Sequence, residues 1–203
     1  MIRLDLRPEP QNFDVEVRQK GAMFLSKFRQ EKQRDPVADE FRPHWRTITL
    51  HAYETYGTIC AYTAMYIDYA TGAVTIDHFR PKTKHPDEAY EWSNYRLCAL
   101  SINRRKYDHD DVLDPFTIPP NLFKINLSSG KISYRGVRGT EHLESACEAT
   151  IKRLNLNEDY LVKNRMEYLT RYEKYGDAEE LKAKAPIIYE ELMYKPPAES
   201  NLP

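Results

Sequence analysis

The sequence predicts an α+β protein on the basis of two patterns. Short runs of β-branched and aromatic residues, separated by proline and glycine, lie between residues 59 and 134, whereas apolar residues recur with helical spacing from residue 140 onward. The chain has 203 residues, 41% of them apolar, which is enough for a domain with a core of its own. We therefore expect a few short strands packed among helices.

Charge and cysteine content exclude several classes of function. The formal net charge is −1 at pH 7, which excludes a protein whose whole surface attracts nucleic acid. Three cysteines without the spacing of secreted proteins fit a reducing compartment. The first ten residues are too polar for a signal peptide, and no apolar run is long enough to span a membrane. We expect a cytoplasmic protein without membrane contacts.

Residues 1–43 read as an N-terminal extension. The alternation of apolar and polar residues from Phe13 to Val17 predicts an edge strand, and residues 21–32 have the composition of a short helix with one apolar side. Prolines then interrupt the chain up to Pro43. We assign no chemistry to this extension.

A central region, residues 44–116, begins with a predicted helix. Aromatic and aliphatic residues recur at helical spacing from Trp45 to Tyr56, and Gly57 ends the pattern. Such an aromatic stripe is more typical of a packed core than of a platform for stacking nucleic-acid bases. The next segment leads through a turn at Thr71 and Gly72 into a hairpin.

The hairpin is followed by a helix. Val74 to Ile76 and Arg96 to Leu100 are rich in strand-forming residues, and the long polar segment between them contains two prolines. Ser101 is the predicted N-cap of the helix, with Asn103 in its first turn. The predicted order is strand, loop, strand, helix.

This order brings chemically useful side chains together. A hairpin places the end of its first strand near whatever follows its second strand, so Asp77, His78 and Asn103 are expected to converge. A carboxylate and an amide oxygen are suitable ligands for Mg²⁺, which accepts a protein shell completed by water and phosphate. Asp77 and Asn103 are therefore candidate metal ligands, and His78 is a candidate base.

The motif resembles that of the HNH nucleases, the His-Me finger or ββα-metal class, in its His-Asn-Asn form. Asp-His, a proline three residues later, a mid-loop Asn94 and a final Asn103 in S-I-N-R-R-K carry this resemblance. It implies that His78 activates water, that Asp77 and Asn103 hold Mg²⁺ or Mn²⁺, and that Asn94 braces the loop and orients the histidine. Three cations next to Asn103 are expected to bind substrate phosphates: Arg104, Arg105 and Lys106, the last of which matches the family pattern N-x-x-K.

The resemblance extends from Phe41 to Tyr175. F-R-P-H-W-R, Y-G-T-I-C-A-Y, Y-E-W-S-N-Y-R-L, L-D-P-F and L-N-L-N-E-D-Y-L resemble successive segments of bacterial HNH proteins that accompany an ATPase in Septu-type and retron-associated anti-phage defence. It implies a small ββα-metal HNH core embedded in surrounding helices, hydrolysis of DNA phosphodiester bonds, and an ATPase subunit as partner. Two alternatives stay open: a non-catalytic DNA-binding or scaffolding subunit, and a nuclease that cleaves RNA.

The cysteines depart from that family. Such relatives commonly carry two C-x-x-C knuckles for a structural zinc, but here the two places read C-A-Y-T from Cys60 and C-A-L-S from Cys98. Hydroxyl groups are poor zinc ligands, so we expect degenerate knuckles, no structural zinc, and two buried apolar cysteines. The alternative is a two-thiol metal site completed by His51 or His85.

Residues 108–111 (D-H-D-D) read either as a second metal site or as a solvated acidic turn, and the turn is the preferred interpretation because adjacent side chains point in different directions.

Residues 117–139 predict a β-hairpin insertion around Ser129 and Gly130.

Residues 140–195 predict a helical region. One helix follows Thr140, a second runs from an N-cap at Asn157 to Tyr175, and a third begins at Asp177 and breaks at Pro186. The apolar end of the third helix fits either the core or an interface with another subunit. Residues 196–203 read as a disordered tail.

Overall fold

The computed structural model describes residues 1–71, 73–136 and 140–196. Within these ranges the chain is a mixed α+β protein with two two-stranded antiparallel sheets, as the sequence predicts. The predicted turn residue Gly72, the end of the predicted insertion at 137–139 and residues 197–203 of the predicted tail lie outside the described residues. No helix in the described ranges is long and apolar enough to cross a membrane.

The N-terminal extension contains one continuous helical stretch. A π-helical stretch, Asp14–Gln19, continues directly into α1, Lys20–Lys32. The predicted edge strand is therefore wrong. Phe13 and Val17 are both fully buried while Val15 is 54% exposed, which is the pattern of one helical face rather than of a strand, where all three would share a side.

The central region begins with a 3₁₀ turn, His44–Ile48, followed by α2, Thr49–Thr55. The predicted helix is thus present, with a tighter first turn. Gly57 follows it at φ +60°, a left-handed conformation that glycine adopts without strain.

The first sheet pairs β1, Val74–His78, with β2, Tyr95–Ala99, and Asp77 lies opposite Arg96. Helix α3, Leu100–Lys106, follows β2 without a break. The predicted N-cap at Ser101 is wrong: Ala99 occupies that position in extended conformation, and the helix begins one residue beyond it. Strand, loop, strand and helix otherwise follow in the predicted order.

The second sheet and the last helices complete the chain. β3, Phe123–Ile125, pairs with β4, Ile132–Tyr134, as the hairpin pattern predicts. The helices that follow are α4, Glu141–Leu154; α5, Asp159–Tyr175; α6, Ala178–Lys184; and α7, Pro186–Met193.

The residues at the starts of α5, α6 and α7 agree only in part with the predictions. Asp177 accepts a hydrogen bond from Glu180 N and caps α6, and Pro186 opens α7, as predicted. Asn157 does not cap α5; its side chain binds both backbone groups of Ile132, and Glu158 is the N-cap residue.

One hydrophobic cluster joins the N-terminal segment, both sheets and the C-terminal helices. Phe13 packs edge-on against Trp92 and Tyr95, so the extension contacts the loop and strand of the first sheet. α7 inserts Ile187 and Ile188 into the same cluster, where both are buried. The apolar end of the chain therefore contributes to the core.

Candidate functional site

His78 ends β1 and is held by its surroundings on three sides. Its Nε2 lies 2.9 Å from the carbonyl oxygen of Ala89, and the rings of Trp45 and Tyr95 meet it edge-on at 4.5 and 5.2 Å. Because a carbonyl oxygen can only accept, Nε2 carries the hydrogen, and Nδ1 is the basic nitrogen of the neutral ring. Burial, with a smaller contribution from the Lys82 ammonium, lowers the pKa of His78 to about 3.

Asn94 fixes the loop that holds His78. Its Nδ2 donates to the carbonyl oxygens of Arg80 (3.0 Å) and Glu88 (3.1 Å), and its Oδ1 accepts from Arg80 N at 2.7 Å. Glu88 immediately precedes Ala89, whose carbonyl binds the histidine. The side chain is thus placed for the bracing role predicted from the motif. It is buried and touches the loop rather than the cavity described below, which makes it a positioning residue.

Asp77 is buried beside a second buried charge. The Tyr62 hydroxyl donates to Asp77 Oδ2 at 2.5 Å, and the Lys106 ammonium lies 3.4 Å from the same oxygen. Burial raises the pKa of Asp77, whereas Lys106 and the Tyr62 hydrogen bond oppose that rise. Only Oδ2 is used in these contacts. Oδ1 makes no hydrogen bond to any described residue.

Asn103 lies on α3 and turns its amide nitrogen toward β1. Nδ2 donates to Thr75 Oγ1 at 3.0 Å and to the carbonyl oxygen of Ile76 at 3.2 Å. These bonds fix the orientation of the amide group. Its Oδ1, which has no hydrogen bond among the described residues, is left as an acceptor.

Three acceptor atoms are open at this place. Asp77 Oδ1, His78 Nδ1 and Asn103 Oδ1 lack hydrogen bonds, yet no side-chain nitrogen or oxygen of the described residues is both fully buried and without a partner. All three atoms therefore reach accessible surface. Asp77, His78 and Asn103 line the same cavity, which has a volume of about 530 Å³. The three residues that the sequence predicts to converge thus line one cavity.

Cations without carboxylate partners surround this cavity. Arg46, Lys82 and Arg104 line it, and none of the three forms an ion pair with a described residue. The Lys82 ammonium lies over Trp45, 4.8 Å from the ring centroid, and burial and Arg46 lower the pKa of Lys82. Cations without an ion-pair partner favour the binding of an anionic ligand, and the open acceptor atoms favour a metal ion beside that ligand.

Two of the predicted phosphate-binding cations lie elsewhere. Lys106 is fully buried and donates to the carbonyl oxygen of His78 at 2.9 Å, so it meets no phosphate from solvent. Arg105 binds the carbonyl oxygen of Leu154 and the carboxylate of Glu158. Successive residues on an α-helix point about 100° apart, so three neighbours cannot form one patch. Only Arg104 faces the cavity as predicted.

No protein-family model matches this chain, and comparison with curated proteins also finds no match.

Sequence reasoning missed four residues of this site. Trp45 and Lys82 contact or adjoin His78, Arg46 lines the cavity, and Tyr62 binds Asp77. Lys82 follows Pro81 in the loop after the Asp-His pair, so its position next to the motif was a usable signal. Tyr62 had no such signal, because its contact with Asp77 joins residues 15 apart.

Cys60 and Cys98 are buried, and the Cys98 thiol donates to the carbonyl oxygen of Ala99 at 3.3 Å. Burial raises the pKa of Cys60, but the neighbouring polar groups of Cys98 and Thr63 lower it by more and bring the pKa to about 6. The described residues contain no group of three His, Cys, Asp or Glu that could hold a metal.

The acidic turn at 108–111 does not form such a cluster either. Asp110 pairs with Lys84 at 3.4 Å and Asp111 with Arg153 at 2.9 Å, so the two carboxylates are directed to different partners. This agrees with the preferred interpretation of a solvated turn.

Proposed function

We propose that this protein is a metal-dependent HNH endonuclease whose ββα-metal core is formed by β1, β2 and α3, and that it hydrolyses DNA phosphodiester bonds. The observation that carries the proposal is the cavity that Asp77, His78 and Asn103 share, in which Asp77 Oδ1, His78 Nδ1 and Asn103 Oδ1 are open to solvent. These residue types stand in the order of the motif described above, on the elements that the motif requires.

The donor set fits Mg²⁺ or Mn²⁺. Asp77 offers a carboxylate oxygen and Asn103 an amide oxygen, both hard ligands, and neither atom is used by the protein itself. When bound, such an ion supplies neutralisation of the charge that builds on the scissile phosphate. Lys106 and Tyr62 hold Asp77 Oδ2, and this leaves Oδ1 as the ligand atom.

His78 is the general base in this proposal. Its Nε2–H is bound to Ala89 O, so Nδ1 accepts the proton of the attacking water. Trp45 and Tyr95 restrict the ring on both sides, and Asn94 fixes the loop that carries the Ala89 carbonyl. A base held in one tautomer and one orientation starts each cycle in the reactive geometry.

Arg46, Lys82 and Arg104 are the phosphate-binding cations of the proposal. They line the cavity without carboxylate partners among the described residues, and each is free to pair with a phosphate oxygen. This set replaces Arg105 and Lys106 of the sequence-based prediction and keeps Arg104.

The test is cleavage of supercoiled plasmid DNA by the purified chain with Mg²⁺ or Mn²⁺. His78→Ala is expected to lose cleavage by at least about 100-fold while its circular dichroism spectrum is unchanged, because the base is removed from the rim of a cavity. His142→Ala, at an exposed position in α4, is the matched control. Equal cleavage by His78→Ala and wild type removes His78 from the mechanism.

The proposal of an ATPase subunit as partner depends on the sequence resemblance alone. RNA is the alternative substrate. Copurification with the product of a neighbouring gene tests the first point. Parallel cleavage assays with DNA and RNA of the same sequence test the second, because a site that grips the phosphate backbone reads little else. No cleavage of either polymer, with or without ATP, favours the non-catalytic alternative.

A further inference from the structure

We infer that the cavity admits an unpaired nucleotide whose base stacks on Tyr107, so that the protein prefers single-stranded nucleic acid. This inference rests on the proposed nuclease function, because it concerns the substrate of the same cavity. It is carried by the backbone of Tyr107, by the exposure of its ring, and by the composition of the cavity wall.

Tyr107 follows α3 in a conformation that favours glycine. Its backbone angles are φ 48° and ψ −122°, and a hydrogen bond of 3.0 Å from His109 N to Lys106 O closes the four-residue turn around it. In such a turn the second residue has a positive φ, at which a Cβ atom meets the backbone. A bulky side chain at this position is disfavoured unless something requires it.

Packing does not require the tyrosine. Its side chain is 69% exposed, and among the described residues it has no hydrogen bond, aromatic contact or cation–π contact. Yet Tyr107 lines the cavity that holds Asp77, His78 and Asn103. An exposed aromatic ring, held in an unfavourable backbone conformation beside a candidate active site, is suited to stack on a flat ligand.

The cavity wall has the chemistry of a nucleotide site. Trp45, Val74, Pro81 and Leu100 supply apolar surface, and the cations described above supply contacts for phosphate. A volume of about 530 Å³ lies in the range of cavities that enclose small ligands.

The depth of the reacting groups favours an unpaired strand. His78 is 9% exposed and Asp77 2%, so both groups lie in the wall of a cavity rather than on a surface that a wide duplex would cover. The bases of a duplex are stacked inside it and do not reach a lateral tyrosine. A single strand turns its bases outward and enters the cavity one nucleotide at a time.

The experiment measures binding without cleavage. Fluorescence anisotropy with the full chain in EDTA compares a labelled single-stranded DNA of about 12 nucleotides with the same sequence in a blunt duplex. We expect the single strand to bind about 10-fold more tightly or better. Tyr107→Ala is expected to weaken single-strand binding by about 10-fold, because one stacked base is lost, and to leave duplex binding unchanged.

Two further variants show whether an effect of Tyr107→Ala comes from lost base stacking or from a general effect of removing an exposed tyrosine. Tyr107→Phe keeps the ring and is expected to bind like wild type, and Tyr175→Ala removes an equally exposed tyrosine (68%) at the end of α5 without effect. Duplex binding as tight as single-strand binding, no binding of either DNA, or equal effects of Tyr107→Ala and Tyr175→Ala overturns the inference. Tyr107-dependent binding without any cleavage in Mg²⁺ contradicts the nuclease proposal and leaves the binding preference standing.

Discussion

Replacement of Lys106 by methionine distinguishes a buried ion pair from a phosphate clamp. The Lys106 ammonium is fully buried, 3.4 Å from Asp77 Oδ2, and methionine retains most of its volume without the charge. At an effective dielectric constant of about 20, two unit charges at this distance of 3.4 Å attract by about 5 kcal/mol. Removing one partner of a buried pair leaves the other charge uncompensated and typically costs about 3–5 kcal/mol.

We therefore expect Lys106→Met to lower the free energy of unfolding by about 3–5 kcal/mol, since Asp77 loses its ion-pair partner and the carbonyl oxygen of His78 loses a hydrogen bond. For a chain of this length that corresponds to a fall in Tm of roughly 6–20 °C. Urea unfolding followed by circular dichroism gives the free energy. Lys20→Met is the matched control, because its ion pair with Glu16 is exposed and contributes less than about 1 kcal/mol.

A double variant tests the cause. Asp77→Asn combined with Lys106→Met removes both charges and keeps the acceptor for Tyr62, so its destabilisation should be smaller than the sum of the two single changes by at least about 1 kcal/mol. Strict additivity would refute the ion-pair argument. Lys106→Met with wild-type stability but weakened nucleic-acid binding would restore the phosphate-clamp role that the sequence pattern predicts.

The remaining predictions concern the loop, the cations and zinc. Asn94→Ala removes three hydrogen bonds and is expected to cost about 2–3 kcal/mol of stability and to reduce cleavage even at saturating Mg²⁺, measured by unfolding and by initial rates. Arg104→Ala is expected to weaken DNA binding uniformly across sequences and to lower the slope of log K against log salt by about one, whereas Arg171→Ala on α5 leaves it unchanged. Metal analysis of protein purified without chelators is expected to find no stoichiometric zinc, and EDTA is expected to leave Tm unchanged; zinc at one equivalent contradicts the degenerate-knuckle prediction.

Elements marked by local signals were predictable from the sequence. α4 begins directly after Thr140, as predicted, and the two strands of the first sheet lie where β-branched and apolar runs end at turn residues. That Asp77, His78 and Asn103 line one cavity was also predictable, because it follows from the topology of a hairpin and the helix after it. Such features are determined by residues that lie near one another in the sequence.

Side-chain direction was not predictable in the same way. α3 begins at Leu100 rather than after Ser101, and the sequence does not show that Arg104 lines the cavity while Lys106 is buried in the core. From Phe13 to Val17, alternation and helical spacing both fit so short a segment, and the burial of both ends against the core decides for the helix. Both outcomes depend on partners that are distant in sequence.

The segment that begins at Cys60 links the core to Asp77. Cys60 N donates to Met65 O, and Ala61 N donates to Leu97 O in β2, while Cys60 and Cys98 are both buried. The two backbone hydrogen bonds fix the segment against the first sheet, and the next residue, Tyr62, is fully buried with its hydroxyl on Asp77 Oδ2. The position of Asp77 Oδ1, the proposed ligand atom, thus depends on packing around two cysteines as well as on its own strand. We therefore predict that a bulky substitution at Cys60 displaces Tyr62 and raises the Mg²⁺ concentration required for cleavage, which initial rates at a series of Mg²⁺ concentrations measure.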